Sequence, residues 1–183
     1  TRLDSGVFDP GWEDRHRIGP EQVEWIATGE RLTKANFLEH QKKGGLVAIH
    51  SIPDQVVELC MKDSAVMVAS DAIPYTPDGK SHPRSAGCFC RVLGRYVREK
   101  ASLTLAEALH KMTLQPARRL ENVCSAFRRK GRLQVGADAD IVCFDPDTVI
   151  DCATFTSPME RSRGIQELFV LGVSVVRKGE FVE

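Results

Sequence analysis

The sequence lacks the features of nucleic-acid-binding, membrane-spanning and secreted proteins. It has no net charge, because 25 Lys and Arg residues balance 25 Asp and Glu residues, so its composition attracts neither nucleic acid nor an anionic membrane. No apolar run has the length of a membrane span, and no stretch has the pattern of a signal peptide. We therefore expect a small-molecule substrate, no nucleic-acid or membrane partner, and a cytoplasmic location.

The cysteines also lack an informative spacing. None of the six forms a CxxC pair, and Cys88 and Cys90 form a CxC inside an apolar run, with no histidine at an interpretable spacing. Disulfide frameworks occur mainly in short, loop-rich secreted chains, which this 183-residue chain does not resemble. We therefore expect reduced, mostly buried thiols and no cysteine nucleophile. The other four cysteines are Cys60, Cys124, Cys143 and Cys152.

The first half of the chain alternates between helical and strand patterns. Thr33 can cap a helix that ends at Gly44-Gly45, and the apolar run 46–50 predicts a buried strand. A second helix opens at Pro53 and is followed by a second buried strand at 66–70. This order predicts a parallel βαβ unit with a right-handed crossover. The second helix is expected to face inward with Val56, Val57, Leu59 and Cys60.

Residues 87–120 have helical patterns throughout. The apolar positions of 87–100 predict one helix, Thr104 and Glu107 form a capping box for the next, and Pro116 lies in the first turn of a third. Residues 1–30, by contrast, show no pattern beyond one short strand or turn near 23–27. The chain is therefore of the α/β class, with its helices concentrated before residue 121.

The last third of the chain changes to strand patterns. The run 141–144 predicts a strand that Asp145-Pro146 stops, and two apolar runs around Leu171-Gly172 predict a β meander. Helical α/β material followed by an all-β tail indicates two structural parts. We predict that these parts are residues 1–127 and residues 128–183.

A single carboxylate follows the predicted strand at 66–70. Asp71 is followed by a loop that contains two prolines and a glycine, and this loop ends at Arg84, directly after Pro83. A charged residue at the carboxyl end of a buried strand, before a long loop, is typical of an α/β-barrel active site. Asp also caps turns after strands, so the pattern alone leaves both interpretations open.

Five blocks of sequence carry a family resemblance. They are ASD at 69–71, HPR at 82–84, RVLGRYVRE at 91–99, KMTLQPARRL at 111–120 and GRLQVGADADIVCFDPDTV at 131–149. In order and spacing they resemble the amidohydrolase superfamily, and within it the N-acyl-D-amino-acid deacylases, which include the D-aminoacylases and the N-acyl-D-glutamate deacylase type. The last block is shared by many amidohydrolases, whereas SD and HPR before RVLGRYVRE are more specific to the deacylases.

The resemblance implies a fold larger than this chain. The family has a metal-bearing (β/α)8 TIM barrel and a small β-sandwich built from both ends of the polypeptide. Residues 1–127 would be the carboxyl-terminal part of the barrel, with 46–50 a late strand and 66–71 the last strand. Residues 128–183 would be the carboxyl-terminal half of the sandwich. Since the first residue is Thr1 rather than Met, we expect that an amino-terminal portion precedes it.

The resemblance also implies a chemistry: metal-dependent hydrolysis of the amide bond of N-acyl-D-amino acids. Asp71 matches the family's proton-transferring aspartate, and Arg84 matches the arginine that holds the substrate carboxylate. His82 would orient the loop or reach the substrate. The metal, usually zinc, has no matching ligand in this sequence, so its ligands are expected upstream and this chain alone is expected to be inactive. The role of His50, at the end of the predicted strand, stays open.

One position departs from the resemblance, and three interpretations remain open. Many relatives have SDG where this chain has Asp71-Ala72, and a positive φ at Ala72 would cost on the order of 1 kcal/mol. The enzymatic alternative is a cyclic-amide hydrolase such as a dihydropyrimidinase or hydantoinase relative. The third interpretation is a non-catalytic homologue that acts as a structural or interaction module. A homo-oligomer is compatible with all three.

Overall fold

The chain folds into two units, Thr1–Val57 and Glu58–Glu183. The computed structural model describes residues 1–72 and 81–182. None of the helices in these two ranges is both long enough and apolar enough to cross a membrane. The predicted division into residues 1–127 and 128–183 refers to the barrel and the sandwich of the larger family fold, and it stays a prediction.

The first unit contains a three-stranded antiparallel sheet and two short helices. In the sheet, β1 lies between β2 and β3 and pairs with both. The elements are α1 (Trp12–His16), β1 (Val23–Trp25), β2 (Glu30–Arg31), α2 (Phe37–Lys43) and β3 (Val47–Ile49), with 3₁₀ turns at Gly6–Phe8 and Pro20–Gln22. The short strand predicted near 23–27 is therefore confirmed as β1.

Aromatic rings form the centre of the first unit's core. Trp12 stacks on Phe37 at a centroid distance of 5.0 Å, and Phe8 meets Trp12 edge-on at 5.1 Å. All three rings are buried, together with Val23 and Leu32. Much of this core comes from residues 1–30, where the sequence pattern predicted almost no structure.

The predicted strand at 46–50 is confirmed as β3, but the parallel βαβ unit predicted with 66–70 is wrong, since residues 66–70 pair with no strand of the described ranges. Strand β3 pairs antiparallel with β1 instead, with Val23 opposite Ile49 and Trp25 opposite Val47. The sequence predicts the three-residue strand β1 but does not identify it as the partner of β3.

The predicted buried strand at 66–70 is also wrong. No strand of the described part of the chain pairs with these residues, and they alternate between half-buried and exposed. An apolar run predicts burial, but a strand also needs a neighbouring backbone to satisfy its N–H and C=O groups. The N–H of Val68 instead donates to the carbonyl of Lys111, at 3.2 Å.

A third helix, α3 (Asp54–Lys62), forms where the sequence predicts it. Its predicted inward face is largely wrong, because Leu59 is 71% exposed, Val56 is 46% exposed and Cys60 is exposed. Its buried residue is Met61. Helical periodicity identifies which residues share a face, but it does not identify what covers that face.

The helices of the second unit follow the predicted order. Residues 84–99 form one continuous helix whose second half is a π-helix, with buried residues Val92, Leu93 and Tyr96. Gly94 lets this helix approach the chain closely at residues 149–150, since an added Cβ would lie 2.7 Å from the Val149 carbonyl. The elements are α4 (Arg84–Arg91), the π-helix (Val92–Glu99), α5 (Leu105–Met112) and α6 (Leu114–Leu120), followed by a 3₁₀ turn at Ser125–Arg129.

The strands of the second unit form the predicted meander. Strands β4 (Ile141–Phe144), β5 (Ile165–Val170), β6 (Val173–Arg177) and β7 (Glu180–Phe181) are antiparallel neighbours in chain order. The turns Leu171-Gly172 and Lys178-Gly179 have positive φ at both residues, from 50° to 82°. Such turns match the right-handed twist of the strands they join, so these dipeptides fix the register of two hairpins.

The predicted capping box of α5 is confirmed. The Glu107 N–H donates to Thr104 Oγ1 at 3.2 Å, and the Thr104 N–H donates to the Glu107 carboxylate at 2.8 Å. We expect Thr104→Ala to lower the free energy of unfolding by about 1 kcal/mol. It removes the hydroxyl that accepts the Glu107 N–H, one of the N–H groups in the first turn that have no partner within the helix. Thr104→Ser keeps the hydroxyl, so an equal loss in chemical denaturation would contradict this role.

The capping box also makes the stability of the protein depend on pH. The hydrogen bonds between the Glu107 carboxylate and Thr104 hold the pKa of Glu107 below its ordinary value. A depressed folded-state pKa contributes stability that is present above the unfolded value of about 4.3 and is lost as the pH falls through the folded pKa. We therefore expect Glu107→Gln to destabilise the protein at pH 7, and we expect its difference from the wild type to shrink as the pH falls below about 4.3, in denaturation curves recorded across this range.

Two glycines with positive φ provide a matched test of steric contact. At Gly131 (φ +68°) an added Cβ would lie 2.4 Å from the Thr113 carbonyl oxygen, whereas at Gly136 (φ +85°) nothing lies within 4 Å. Both alanine variants carry a backbone cost of about 1 kcal/mol. We expect Gly131→Ala to cost roughly 1 kcal/mol more, from overlap with a backbone that must shift. Equal losses in the free energy of unfolding would rule out the steric term.

Candidate active site around Asp71 and Arg84

The structure brings two of the predicted site residues, Asp71 and Arg84, into direct contact. Arg84 is the first residue of α4, and its Nη2 lies 2.6 Å from Asp71 Oδ2. Its Nε also donates to the backbone carbonyl of Asp71, at 2.7 Å. The Asp71 side chain is 82% exposed and that of Arg84 is 35% exposed. The pair thus consists of an exposed carboxylate and a half-buried guanidinium, and a guanidinium in this position can bind a carboxylate.

The backbone at Asp71 has an uncommon conformation. Its φ is +47°, in the left-handed region that Asp and Asn tolerate better than most other side chains. Ala72 is not among the described residues with positive φ, and its N–H donates to Ser70 Oγ at 3.3 Å. The alanine that replaces glycine of SDG therefore carries no left-handed strain here.

His82 contacts the start of α4. Its Nδ1 accepts a hydrogen bond from the Arg84 N–H at 3.2 Å, and its carbonyl accepts one from the Ser85 N–H at 2.8 Å. The imidazole ring meets the Phe155 ring edge-on at a centroid distance of 4.9 Å. These contacts join His82 to the start of α4 and to Phe155, and its role stays a prediction. The two prolines and the glycine of the predicted loop lie outside the described residues.

Among the described residues, His50 and two of the cysteines have contacts typical of structural residues. His50 Nε2 lies 3.0 Å from Glu24 Oε2, within the first unit. Burial lowers the pKa of His50, and the nearby Arg31 acts in the same direction, against the opposing effect of Glu24. Burial raises the pKa of the Cys88 and Cys90 thiols, which keeps them protonated at neutral pH.

The cysteines are free, as the spacing predicts, but the expected burial is wrong, because three are exposed and the other three are half-buried. The exposed thiols are Cys60, Cys124 and Cys143. Cys60 lies within α3, Cys124 follows α6, and Cys143 lies on the exposed side of β4, where neither the apolar neighbours nor the residue type indicates the outward direction. The expectation of a mostly buried set came from the general preference of cysteine for the interior.

The residues described here do not make a metal site by themselves. Across residues 1–72 and 81–182, no group of three or more His, Cys, Asp or Glu side chains is arranged to hold a metal ion. Catalytic zinc takes three protein ligands, and Asp71 offers one exposed carboxylate.

Sequence reasoning missed Lys111 and Gln115, which contact the segment leading to Asp71. Gln115 Nε2 donates to the Ser64 carbonyl at 2.7 Å, and Lys111 is buried beside the same segment. A lysine in an amphipathic helix is normally solvated, so no local signal separates Lys111 from a surface residue.

Comparison with known proteins places these features in a family. Residues 27–182 match the amidohydrolase family. The chain is 44% identical over 125 residues to an N-acyl-D-glutamate deacylase of Alcaligenes xylosoxydans xylosoxydans, which covers 68% of this chain and 24% of the relative. It is 38% identical over 143 residues to a D-aminoacylase of the same organism, covering 78% of this chain and 28% of the relative. The chain thus spans about a quarter of the length of these curated relatives.

Solved structures give the same result. A crystal structure of N-acyl-D-glutamate deacylase from Bordetella bronchiseptica, complexed with zinc and a phosphonate inhibitor that mimics the tetrahedral intermediate, matches with a TM-score of 0.70 and 30% identity. The match covers 92% of this chain and 38% of that one. A crystal structure of D-aminoacylase matches with a TM-score of 0.66 and 33% identity, over 81% of this chain and 29% of that one. This α/β chain belongs to the amidohydrolase family and is of the D-aminoacylase type.

Proposed function

We propose that this chain is part of an enzyme that hydrolyses the amide bond of N-acyl-D-amino acids, releasing the amino acid and a carboxylate. The observation that carries the proposal is the contact of Arg84 with Asp71, because it places a carboxylate-binding guanidinium beside an exposed proton acceptor. The relatives named above are deacylases of this substrate class. The substrate is a small molecule, and we propose a cytoplasmic location.

The proposed fold of the whole enzyme is a (β/α)8 barrel followed by a small β-sandwich. The four-stranded meander β4–β7 is the proposed carboxyl-terminal half of the sandwich, and the helices before it belong to the barrel. Asp71 follows the apolar run 66–70, and a carboxylate in this position supports a place at the active-site end of that barrel.

The proposed cofactor is a divalent metal, with zinc as the first choice. One matched deacylase structure contains zinc, and another matched D-aminoacylase is described with a binuclear metal centre that one metal activates and a second attenuates. The ligands are proposed to lie in the rest of the enzyme, since the described residues do not form the set. When bound, such a metal polarises an amide carbonyl and lowers the pKa of a water molecule.

Asp71 is the proposed proton-transfer group. Its carboxylate is exposed and therefore open to a water molecule and to the nitrogen of a scissile amide. It takes the proton of the attacking water and gives it to the leaving amine, which departs as a neutral group. The short side chain on a fixed backbone keeps this oxygen in one place, as a general base requires.

Arg84 is the proposed site for the substrate's α-carboxylate. Its Nη2 and Nε already hold two oxygens of Asp71, so the donors are aligned for an anion. A substrate carboxylate competes with Asp71 for these donors, and its binding releases the Asp71 carboxylate for proton transfer. His82 supports this step by accepting the N–H of Arg84.

A substrate panel tests the proposed function. The full-length, metal-loaded enzyme is incubated with N-acyl-D-amino acids, their L-enantiomers and a cyclic amide, and the free amino acid or ring-opened product is quantified. We expect hydrolysis of the N-acyl-D-amino acids. Faster opening of the cyclic amide would favour a dihydropyrimidinase-like or hydantoinase-like enzyme, and no turnover of any substrate would favour a non-catalytic homologue.

A further inference from the structure

Within the described ranges, the segment that leads to Asp71 is held by helices and pairs with no strand. The Val68 N–H donates to the backbone carbonyl of Lys111 in α5, at 3.2 Å. The Gln115 side chain in α6 donates to the carbonyl of Ser64 at 2.7 Å. Residues 63–68 are thus attached at several points to the α5–α6 pair, and we name these attachments the clasp.

Lys111 makes the most unusual contacts of the clasp. Lys111 is only 5% exposed, although its side chain carries an ammonium group. The ammonium donates to the carbonyl of Asp63 and, at 2.9 Å, to the carbonyl of Val66. Buried lysines are usually paired with carboxylates, because burial of a charge is costly. Here both of these acceptors are backbone carbonyls, so the ammonium fixes the path of the main chain directly.

We propose that Lys111 is a positioning residue for Asp71. This inference rests on the proposed function, in which Asp71 transfers a proton. The last clasped amide, at Val68, is three residues before Asp71, or about 10 Å of extended chain. The Cys88 thiol lies 3.7 Å from the Ala69 carbonyl and is too weak a donor to hold the segment by itself. Arg84 Nε holds the Asp71 carbonyl at one end of the segment, and the Lys111 bonds hold the other end. Loss of the Lys111 bonds therefore lets the Asp71 backbone move once a substrate carboxylate competes for the Arg84 donors.

The test replaces Lys111 with Met, which keeps a long unbranched side chain and removes the ammonium. In the full-length, metal-loaded enzyme we expect kcat for an N-acyl-D-amino acid to fall on the order of 10-fold to 100-fold, since displacement of a reacting group by about 1 Å has an effect of that size. KM is expected to stay within about twofold, because Arg84 is still in place. Hydrogen exchange of the Val68 amide is expected to become faster.

Thr104→Ala is the matched control, because it loosens the same helix at its first turn and leaves the clasp intact. We expect this variant to lose stability while it keeps the wild-type kcat and the wild-type exchange rate at Val68. A fall in kcat as large as that of Lys111→Met would show that any loosening of α5 is sufficient, and it would overturn the positioning role. A folded Lys111→Met enzyme with normal kcat would overturn it as well.

Gln115→Met is the second variant, which tests the clasp even where Lys111→Met does not fold. It removes the bond to the Ser64 carbonyl from a partly exposed position, and we expect a smaller fall in kcat with KM unchanged. Unchanged kcat in this variant contradicts the clasp. Asp71→Asn, measured alongside, separates the proposed function from the inference about Lys111. An active Asp71→Asn enzyme overturns the proposed function. An inactive Asp71→Asn enzyme, together with fully active clasp variants, overturns only the inference about Lys111.

Discussion

Asp71→Asn is expected to lower kcat of the full-length enzyme on the order of 10²-fold to 10⁴-fold, the usual contribution of a positioned general base. The amide of Asn neither accepts the proton of water nor delivers one to a leaving amine. Its shape matches that of Asp, and Asn tolerates the left-handed backbone found at φ +47°. The loss is therefore chemical and does not come from a changed fold. Steady-state kinetics with an N-acyl-D-amino acid measures it.

Metal content and a second aspartate serve as controls for this prediction. Elemental analysis is expected to show nearly the same metal content in Asp71→Asn as in the wild type, because the ligands are proposed to lie elsewhere. Asp147→Asn removes an exposed carboxylate far along the sequence and is expected to leave turnover unchanged. Near-normal turnover of Asp71→Asn would refute the assignment of the proton-transfer group.

Arg84→Ala is expected to raise KM for an N-acyl-D-amino acid on the order of 10²-fold, because it removes the two charge-assisted hydrogen bonds proposed for the substrate carboxylate. Arg84→Lys keeps the charge but loses the planar pair of donors, so an intermediate KM is expected. Removal of a cation from the first turn of α4 does not weaken the helix, since the helix dipole disfavours positive charge at that end.

An uncharged N-acyl amine distinguishes carboxylate binding from a general defect. This substrate has nothing for Arg84 to hold, so Arg84→Ala is expected to impair its turnover much less than that of the charged substrate. Thermal denaturation checks that the variants are folded. An equal loss with the charged and the uncharged substrate would count against the carboxylate-binding role.

Local signals in the sequence predicted local structure well. The Thr104–Glu107 capping box and β4 form at the predicted residues, because a capping box and an Asp-Pro stop act within a few residues of the chain. The meander followed from Leu171-Gly172, whose conformation is set by the dipeptide itself. Each of these features is decided by neighbours in sequence, so a single sequence contains the information.

Features that depend on distant partners could not be predicted in the same way. The run 66–70 is apolar enough for a strand, but pairing depends on a neighbouring backbone that the sequence does not identify. Likewise, the exposure of Leu59 depends on what covers α3, and the antiparallel pairing of β3 depends on the short strand β1. The spacing of apolar residues indicates whether a segment is a helix or a strand, but it does not identify the elements that pack against that segment.

The candidate site was predictable in part. Asp71 and Arg84 were found through the resemblance of their blocks to a family, and the structure places their side chains in contact, while their roles stay predictions. Lys111 was not predictable, because its burial is set by the packing of α5 against residues 63–68. The resemblance names residues that touch a substrate, but it carries no information on the residues that hold them in place.

The π-helix gives the length of its helix a functional meaning. Arg84 begins this helix, and Arg98, near its end, donates to the Pro146 carbonyl at 3.1 Å. The number of residues between them therefore sets the direction in which the Arg84 side chain leaves the helix axis. Each residue advances an α-helix by about 100°, and a π-helix accommodates an additional residue within its turns. Removing one residue from Val92–Glu99 would therefore restore ordinary α-helical pairing and swing Arg84 through roughly a quarter of a revolution, away from Asp71. If Arg84 has its proposed role, the number of residues in this helix therefore matters to the site as well as their identity.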